Sequence, residues 1–471
     1  MVDSGTLMVI AVVMAVYFVG MIAVSWMGRK YGKNFDDFIS AGRNCTTIMI
    51  IGSAVGSHIG NGFVVGGAAS GAAIGIAGAW YGLGCAISYL VMALTINHVI
   101  YKLGYISVPE ILESRYGEKW TSVIFSVTTA LSYIANIAAQ LMAGKALFEA
   151  LGFNGTVGVW IIAVVVLAYS CISGLWGAAA TSVIQVSIII VGLIVTTIVI
   201  LSKGAMGVVT DAVAAGTVPS TYFDIMVEGL PAILITCVPI SLAALCEQCT
   251  VQRIVSARTE KVAFWGLILS FIIMIPCALM PAFIGMYGNV LYNDTSNSVF
   301  FSVALDVLPT LASAVLIAAV VAAIMSTIDT MFVAFSTIML HNIYRGMINP
   351  NASEKTLQTG DFICHVALCV VSAVVALQFT SILDLLWQMY NFCSACVFAP
   401  FIGGLFWKRG TAKGAIASAI VGFLYIALNM AGIIPTTTIL SIFSFLPAAV
   451  AYVIVSLLDK SKAQEPPVAA E

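Results

Sequence analysis

The chain has 471 residues, of which 61% are hydrophobic and 8% are charged, with a mean hydropathy of +1.07 and a formal net charge of −2. A soluble domain of this composition could not cover its apolar surface, and the short alternating segments of a membrane β-barrel are absent. The composition therefore predicts an all-α integral membrane protein, because apolar runs of about 20 residues can cross a hydrocarbon core of ~30 Å.

Thirteen apolar segments follow in chain order, and each predicts one transmembrane helix. The predicted spans, numbered 1 to 13, cover residues 6–28, 46–72, 74–101, 120–148, 155–172, 176–202, 229–252, 261–288, 309–341, 358–379, 382–406, 414–434 and 437–458. No basic residue precedes Arg29, so span 1 lacks the charged start of a signal peptide and is expected to remain in the protein.

The basic residues predict the orientation of these spans. When the thirteen spans alternate in direction, seventeen of the nineteen Lys and Arg residues fall on one side, and Lys145 and Lys203 fall on the other. Lys and Arg collect in cytoplasmic loops, so the richer side is predicted to be cytoplasmic. We expect a multi-pass protein of the plasma (inner) membrane with its N-terminus outside and its C-terminus in the cytoplasm.

Spans 2–6 and 7–11 form two sets of five, and the odd number makes the second set inverted relative to the first. Inverted repeats place a solute site near the midplane, where the first helix of each repeat is broken. Span 2 contains "SAVGSHIGNGFVVGG", and span 7 contains Pro239 followed by "LCEQC". The predicted layout is a leading helix and loop, repeat 1, an extracellular loop, repeat 2, two trailing helices and a cytoplasmic tail, at residues 1–45, 46–202, 203–228, 229–406, 407–458 and 459–471.

Six stretches in chain order resemble the sodium:solute symporter family. They read "DDFISAGR", "ISVPEILESRYG", "GLWGAAATSVIQ", "VQRIVSARTEKVAF", "AAIMSTIDT" and "APFIGGLFWKRGTAKGA". The resemblance spans roughly residues 36 to 415. It implies the fold of the bacterial leucine transporter with an extra leading helix, and sodium as the coupling ion.

The stretch "AAIMSTIDT" in span 9 is the predicted centre of the ion site. Its spacing puts Ala323, Ser326 and Thr327 on one helix face, and sodium, a hard cation, prefers carbonyl and hydroxyl oxygens. The resemblance implies a main sodium site made of the carbonyls of Gly56, Ile59 and Ala323 and the hydroxyls of Ser326 and Thr327. The alternative is that these hydroxyls only bond to their own helix backbone.

A carboxylate in the same stretch suggests a second ion site. Members of the family usually carry Asp where this chain has Ser182, whereas Asp329 stands where a second sodium site uses a hydroxyl. We interpret this as a relocation of the carboxylate, which predicts a second ion site at Ser182, Asp329 and Thr330. Other members also carry an acid in this part of helix 9, and a buried carboxylate could carry a proton instead, so proton coupling stays open.

The solute site is predicted at the two helix breaks. The predicted solute-binding residues are Ser57, His58, Asn61, Phe63, Glu247 and Gln248. The resemblance places Glu247 and Phe63 at contact positions. A carboxylate in the membrane interior needs a partner, and no Lys or Arg is expected within the broken segments. A cationic group on the solute would pair with Glu247, and a purely structural His58–Glu247 pair is the alternative.

These features predict a secondary active transporter that couples inward sodium movement to uptake of a small organic solute, with an amine or amino acid favoured. The expected partners are the solute, sodium and the lipid bilayer, with no nucleic acid. Two alternatives remain: a proton-coupled or ion-independent transporter of the same fold, and an ion channel. The sequence carries no phosphate-binding loop or HExxH motif, so an enzyme is not expected.

Eleven cysteines lie mainly in the spans and show no disulfide framework. Two CxxC pairs, Cys246/Cys249 and Cys393/Cys396, favour packing by small residues over a soft-metal site. Sodium is the only metal predicted.

Overall fold

The computed structural model describes residues 4–28, 35–60, 62–170, 174–379, 381–434 and 444–459. These residues form helices and connecting turns, without strands among them; one isolated parallel bridge joins Cys45 and Ala257. The principal helices are α1 (Ser4–Gly28), α2a (Thr47–His58), α2b (Gly67–Ile74), α3 (Trp80–Thr95), α4 (Lys119–Ala150), α5 (Gly155–Ser170), α6 (Gly174–Ser202), α7a (Gly229–Leu245), α7b (Gln248–Ser256), α8 (Glu260–Tyr292), α9 (Thr310–Ser336), α10 (Glu354–Ala376), α11 (Ile382–Cys393), α12 (Ala412–Met430) and α13 (Leu446–Leu458).

Each predicted span contains at least one helix, but the count of thirteen membrane crossings is not confirmed. Within the described ranges, nine helices are long and apolar enough to cross a membrane, or ten if α7a and α7b form one span. The shorter apolar helices Thr47–His58, Gly155–Ala168 and Leu446–Leu458 stand where spans 2, 5 and 13 are predicted. The helix α2b ends before Gly75, whose φ of +75° favours glycine, and the chain turns back there, because Gly78 lies against Gly71 and Gly82 against Phe63.

Both predicted helix breaks are present. α2a ends at His58, and Ile59 follows with a non-helical ψ of 51°. α7a and α7b meet at 53° around Cys246 and Glu247, and Glu247 has extended backbone angles. Glycines at 60 and 62 and the polar residues beside them lower helix propensity at the first break. A break frees backbone carbonyls and N–H groups inside the protein, where they can bind a ligand.

Helix α9 lies at the centre of the molecule and packs against α1, α2a, α4 and α6. Every residue from Leu316 to Ala334 is buried. An apolar helix that is buried on all sides leaves its few polar side chains facing other helices rather than lipid. The polar residues of α9 are therefore positioned against α2a and α6.

Helix α7b is the second half of α7, and its side chains contact neighbouring segments of the chain. The Gln248 amide accepts from Val108 N at 2.8 Å and donates to the Ile106 carbonyl at 3.0 Å. The Gln252 amide donates to the Ile39 carbonyl at 3.2 Å and to Thr337 Oγ1 at 2.8 Å. These bonds hold α7b to the end of the molecule that is predicted to face the cytoplasm.

Candidate functional site

The break in α2 meets the polar face of α9 at Thr327. Thr327 Oγ1 lies 3.1 Å from the carbonyl oxygen of Gly56 and 3.0 Å from that of Ala323. A hydroxyl has one proton, so it donates to one of these carbonyls at a time and keeps its lone pairs for another partner. Three of the oxygens predicted for the ion site therefore converge at one buried point.

Ser326 adds a fourth oxygen beside the same turn of α2a. Its hydroxyl lies 2.8 Å from the hydroxyl of Ser182 on α6, and both side chains are fully buried. A Cβ on Gly56 would overlap Ser326 Oγ, so only glycine allows this close approach. Ile59, the fifth predicted ligand, is buried at the non-helical end of α2a. The structure brings Gly56, Ala323, Ser326 and Thr327 together.

The three residues of the predicted second ion site have different partners. Ser182 contacts Ser326, and the Thr330 hydroxyl donates to the carbonyl of Ser326 at 3.0 Å. Asp329 accepts a hydrogen bond from the hydroxyl of Ser170 at the end of α5. Tyr17 of α1 also lies close enough to Asp329 for an electrostatic interaction. Ser170 could not be predicted as this partner, because one serine at the end of an apolar helix forms no pattern.

Ser57 and His58 belong to a buried polar cluster with Tyr89 of α3. The Tyr89 hydroxyl lies 2.5 Å from both the Ala54 carbonyl and His58 Nδ1. If this hydroxyl donates to Ala54, His58 Nδ1 must carry a proton and donate to Tyr89. Ser57 Oγ donates to the Ala54 carbonyl at 3.0 Å. The His58 Nδ1 atom is thus engaged with Tyr89 rather than with Glu247.

One expectation about charge is wrong. Arg253, counted as a loop residue because span 7 is predicted to end at 252, lies within α7b, which continues to Ser256. Its side chain is 2% exposed and bonds to Ser53 and Ser57 of α2a. It is also close enough to Glu247 to act on it electrostatically. The broken segments therefore contain a cation, and a cationic solute is not the only counter-charge for Glu247.

The remaining predicted solute-binding residues are placed as follows. Glu247 is partly exposed at the N-cap position of α7b, and Phe63 is buried against Gly82 of α3. Gln248 is fully buried and its amide is occupied by the 106–108 backbone. Asn61 lies outside the described residues.

The four cysteines of the two CxxC motifs have different partners. Cys246 Sγ and Cys393 Sγ are 3.9 Å apart, whereas Cys249 Sγ lies 3.7 Å from the Thr330 carbonyl. Among the described residues there is no group of three or more His, Cys, Asp or Glu side chains suited to holding a metal ion.

A cavity of about 460 Å³ opens between the first turns of α3, α7a and α11. Trp80, Tyr81 and Trp387 line it together with the carboxylates of Glu228 and Asp384. At its inner wall the hydroxyl of Tyr81 lies 3.4 Å from that of Tyr390. This cavity lies at the end of the molecule opposite to α7b.

Comparison with known proteins gives consistent results at the levels of sequence and fold. The model of the sodium:solute symporter family matches residues 38–422. The sodium/proline symporter of Escherichia coli (strain K12) is 24% identical over 96% of this chain and 93% of its own length. The sodium/glucose cotransporter of Vibrio parahaemolyticus is 24% identical over 89% of this chain and 84% of its own length.

Among solved structures, a substrate-bound, outward-open Na⁺-coupled sialic acid symporter superposes with a TM-score of 0.83 at 17% identity, covering 97% of this chain and 99% of that one. MhsT in complex with L-phenylalanine superposes with a TM-score of 0.54 at 14% identity, covering 88% of this chain and 98% of that one. At these identities the likeness shows a shared fold.

Proposed function

Because this chain belongs to the sodium:solute symporter family, we propose that it couples inward sodium movement to the uptake of a small organic solute by alternating access. The observation that carries the proposal is the position of Thr327, whose hydroxyl meets the carbonyls of Gly56 and Ala323 where α2 is broken. A layout of two inverted repeats in the plasma (inner) membrane, with the N-terminus outside, completes the proposal.

The main sodium site is proposed at Gly56, Ile59, Ala323, Ser326 and Thr327. Sodium replaces its hydration shell with neutral oxygens, and a broken helix supplies carbonyls that no backbone N–H uses. In the ion-bound form the Thr327 proton would turn away from the carbonyls, and the hydroxyl oxygen would face the ion. The alternative, a hydroxyl that only bonds to the helix backbone, predicts no response of this site to sodium.

A second ion position is proposed beside the first, at Ser182, Asp329 and Thr330. Ser326 connects the two positions, because its hydroxyl contacts Ser182 and its carbonyl accepts a hydrogen bond from Thr330. Asp329 would supply the one formal negative charge to this region, from the face of α9 that reaches Ser170. If Asp329 binds a proton in place of sodium, the same position would support proton coupling.

The favoured solutes are amines and amino acids. Glu247 lies partly exposed at the break of α7, where its carboxylate would attract an ammonium group. Arg253 adds a positive charge nearby, so an amino acid, which carries both charges, suits the region better than a simple amine does. The E. coli relative is a sodium/proline symporter, which is consistent with an amino acid solute.

The proposal is tested by identifying the solute and then measuring its uptake. Purified protein is screened by thermal shift against amines, amino acids, sugars and carboxylates, with sodium or potassium as the main cation. Uptake of the best solute into proteoliposomes should require sodium. Thr327→Ala should raise the sodium concentration for half-maximal uptake roughly 5- to 100-fold, the effect of losing one hydrogen-bonding oxygen.

Thr196→Ala is the matched control, because Thr196 is a buried threonine on α6 that bonds to its own helix at Gly192. This variant should leave the sodium response unchanged. Uptake that is the same in potassium, but collapses when the proton gradient is dissipated, would overturn the sodium proposal. Unitary currents through the reconstituted protein would support a channel instead.

A further inference from the structure

We propose that Arg253 is a positioning residue that links the ion site to the closure of the cytoplasmic end. The link runs from the α2a turn that carries Gly56, through the Arg253 side chain, to α7b. The inference rests on the proposed function, because it takes the ion site to lie at Gly56 and Thr327.

The first step is the contact between Arg253 and α2a. Its Nε donates to Ser53 Oγ at 3.2 Å, and one Nη donates to the Ser53 carbonyl at 3.2 Å and to Ser57 Oγ at 2.7 Å. Ser53 and Ser57 lie one helical turn apart, and Ser57 directly follows Gly56. The guanidinium carbon also lies 5.9 Å from the centre of the Tyr89 ring. The planar guanidinium of Arg253 thus binds the turn of α2a that supplies the Gly56 carbonyl to the proposed ion site.

The second step is the electrostatic state of this side chain. Arg253 is 2% exposed, and among the described residues no carboxylate lies within 4.0 Å of it. Its second Nη has no hydrogen-bond partner there. A buried cation held by neutral acceptors is costly unless those acceptors keep their geometry. The C-terminal part of α2a favours a cation through its dipole, so the stability of this contact depends on how α2a ends.

The third step is what α7b does elsewhere. The same short helix carries Gln248 and Gln252, whose amides bond to the helix Phe35–Ser40, to the connection at 106–108 and to Thr337 directly after α9. Movement of α7b would break these contacts together, because the helix has only 9 residues. A change at the end of α2a can therefore reach the cytoplasmic connections through one side chain.

Together these contacts give a mechanism of coupling. Sodium bound to the Gly56 carbonyl would fix the end of α2a in the geometry to which Arg253 hydrogen-bonds. Helix α7b would then keep its contacts at the cytoplasmic end. Loss of sodium would let the Ser53 and Ser57 acceptors shift, which would leave the buried cation poorly satisfied and would favour release of α7b. Coupling between two sites of this kind corresponds to a change in affinity of about 5- to 150-fold.

Arg253 could instead only stabilise the fold, and the following experiment distinguishes that structural role from a role in coupling. The variants are Arg253→Lys, which keeps the charge but loses the fork, Arg253→Gln, which removes the charge, and Ser53→Ala, which removes one acceptor. Arg258→Gln is the control, because Arg258 lies at the same end and bonds to the backbone carbonyl of Asn44 at 3.0 Å. The readouts in proteoliposomes are the sodium concentration for half-maximal uptake, uphill accumulation of solute, and solute counterflow without a sodium gradient.

We expect Arg253→Lys and Arg253→Gln to raise the half-maximal sodium concentration and to lower uphill accumulation, each by about fivefold or more, while counterflow stays within about twofold. Ser53→Ala should show a smaller change in the same direction, and Arg258→Gln none. If Arg253→Gln fails to fold, Arg253→Lys and Ser53→Ala still decide the question.

Two results would overturn the inference: folded variants with an unchanged sodium response and accumulation, or an equal loss of accumulation and counterflow. The proposed function fails separately. It fails if the wild-type protein does not respond to sodium. If Thr327→Ala shifts the sodium response but the Arg253 and Ser53 variants do not, only the role of Arg253 is lost.

Discussion

Glu247 is the residue on which the proposed preference for amines and amino acids depends. Glu247 lies where α7 is broken, and Arg253 lies within electrostatic reach of its carboxylate. Glu247→Gln keeps the shape and removes the charge, so it should weaken binding of an ammonium-bearing solute by about 1–3 kcal/mol. Binding of that solute to purified protein can be measured by calorimetry in saturating sodium.

The control for this change is Glu118→Gln, which alters an exposed carboxylate at the start of α4 and should not affect binding. Unchanged binding by Glu247→Gln, or an uncharged preferred solute, would contradict the assignment. Glu247 would then be a structural partner of the buried cation on its own helix.

At the level of single residues, the sequence was informative where function depends on local spacing. Ala323, Ser326 and Thr327 could be grouped because three- and four-residue spacing puts them on one helix face. In the structure, Ser326 and Thr327 contact Gly56 of α2a, and the Ala323 carbonyl contacts the Thr327 hydroxyl. The role of Arg253 could not be predicted, because its acceptor Ser53 lies 200 positions away in the chain. Ser170, the partner of Asp329, lies 159 positions away from it, so residue spacing could not predict this contact either.

At the level of helices, hydropathy located the apolar segments, and the count of thirteen crossings stays a prediction. Hydropathy reports whether a segment can lie in lipid, whereas α2a and α5 are short and packed partly against protein. The turn at Gly75 lies close to the boundary predicted between span 2 (46–72) and span 3 (74–101). The two breaks were predictable because glycines and polar residues cluster in span 2, and because Pro239 and the polar residues of "LCEQC" interrupt span 7.

The packing of α8 against α2b gives a prediction about stability. A Cβ on Gly285 would overlap the carbonyl oxygen of Ala68, and one on Gly71 would overlap that of Ala282. Both neighbours are backbone, so they cannot yield by a rotamer change. Gly285→Ala should therefore lower the free energy of unfolding by ~1–3 kcal/mol or more, the usual cost of overpacking, and should lower the melting temperature of the purified protein.

Gly207→Ala is the matched control. Gly207 lies within the helix Ala205–Ala214, and a Cβ there would meet nothing within 4 Å. Alanine is the better helix former by roughly 0.5–1 kcal/mol, so this variant should be as stable as the wild type or slightly more so. Equal melting temperatures for Gly285→Ala and wild type would show that the two helices are not in such close contact.

For the molecule as a whole, the two ends differ in their contacts, and hydrogen bonds around α7b join several segments at one of them. The cavity between α3, α7a and α11 lies at the end predicted to face outside. At the other end, α7b and the short connecting segments are joined by hydrogen bonds and ion pairs. Alternating access requires the contacts around α7b to break when the end that holds the cavity closes. Weakening these contacts should therefore favour opening of the end that holds α7b.

The most direct test is the ion pair between Arg345 and Asp36. Arg345 Nη2 lies 2.6 Å from Asp36 Oδ1 and 2.7 Å from Nδ1 of His341, whose other ring nitrogen is 3.9 Å from Glu110. These contacts join the segment after α9 to the helices Phe35–Ser40 and Val108–Tyr116. The Asp36 side chain is 54% exposed, so the pair is worth only about 0.2–1 kcal/mol, and its loss should shift the opening equilibrium up to about fivefold.

Hydrogen–deuterium exchange of the two segments around residues 35–45 and 106–116 measures that shift. Arg345→Gln and Asp36→Asn should each speed exchange in both segments, and the double variant should add little, because both changes remove one interaction. Raising the salt concentration should reduce the difference in exchange rate between each variant and the wild type, because salt screens charges that are partly in solvent. Lys355→Gln, an exposed change at the same end, should leave exchange unaltered. Exchange that is unchanged in both single variants, or faster only around the cavity between α3, α7a and α11, would show that this ion pair does not hold these segments together.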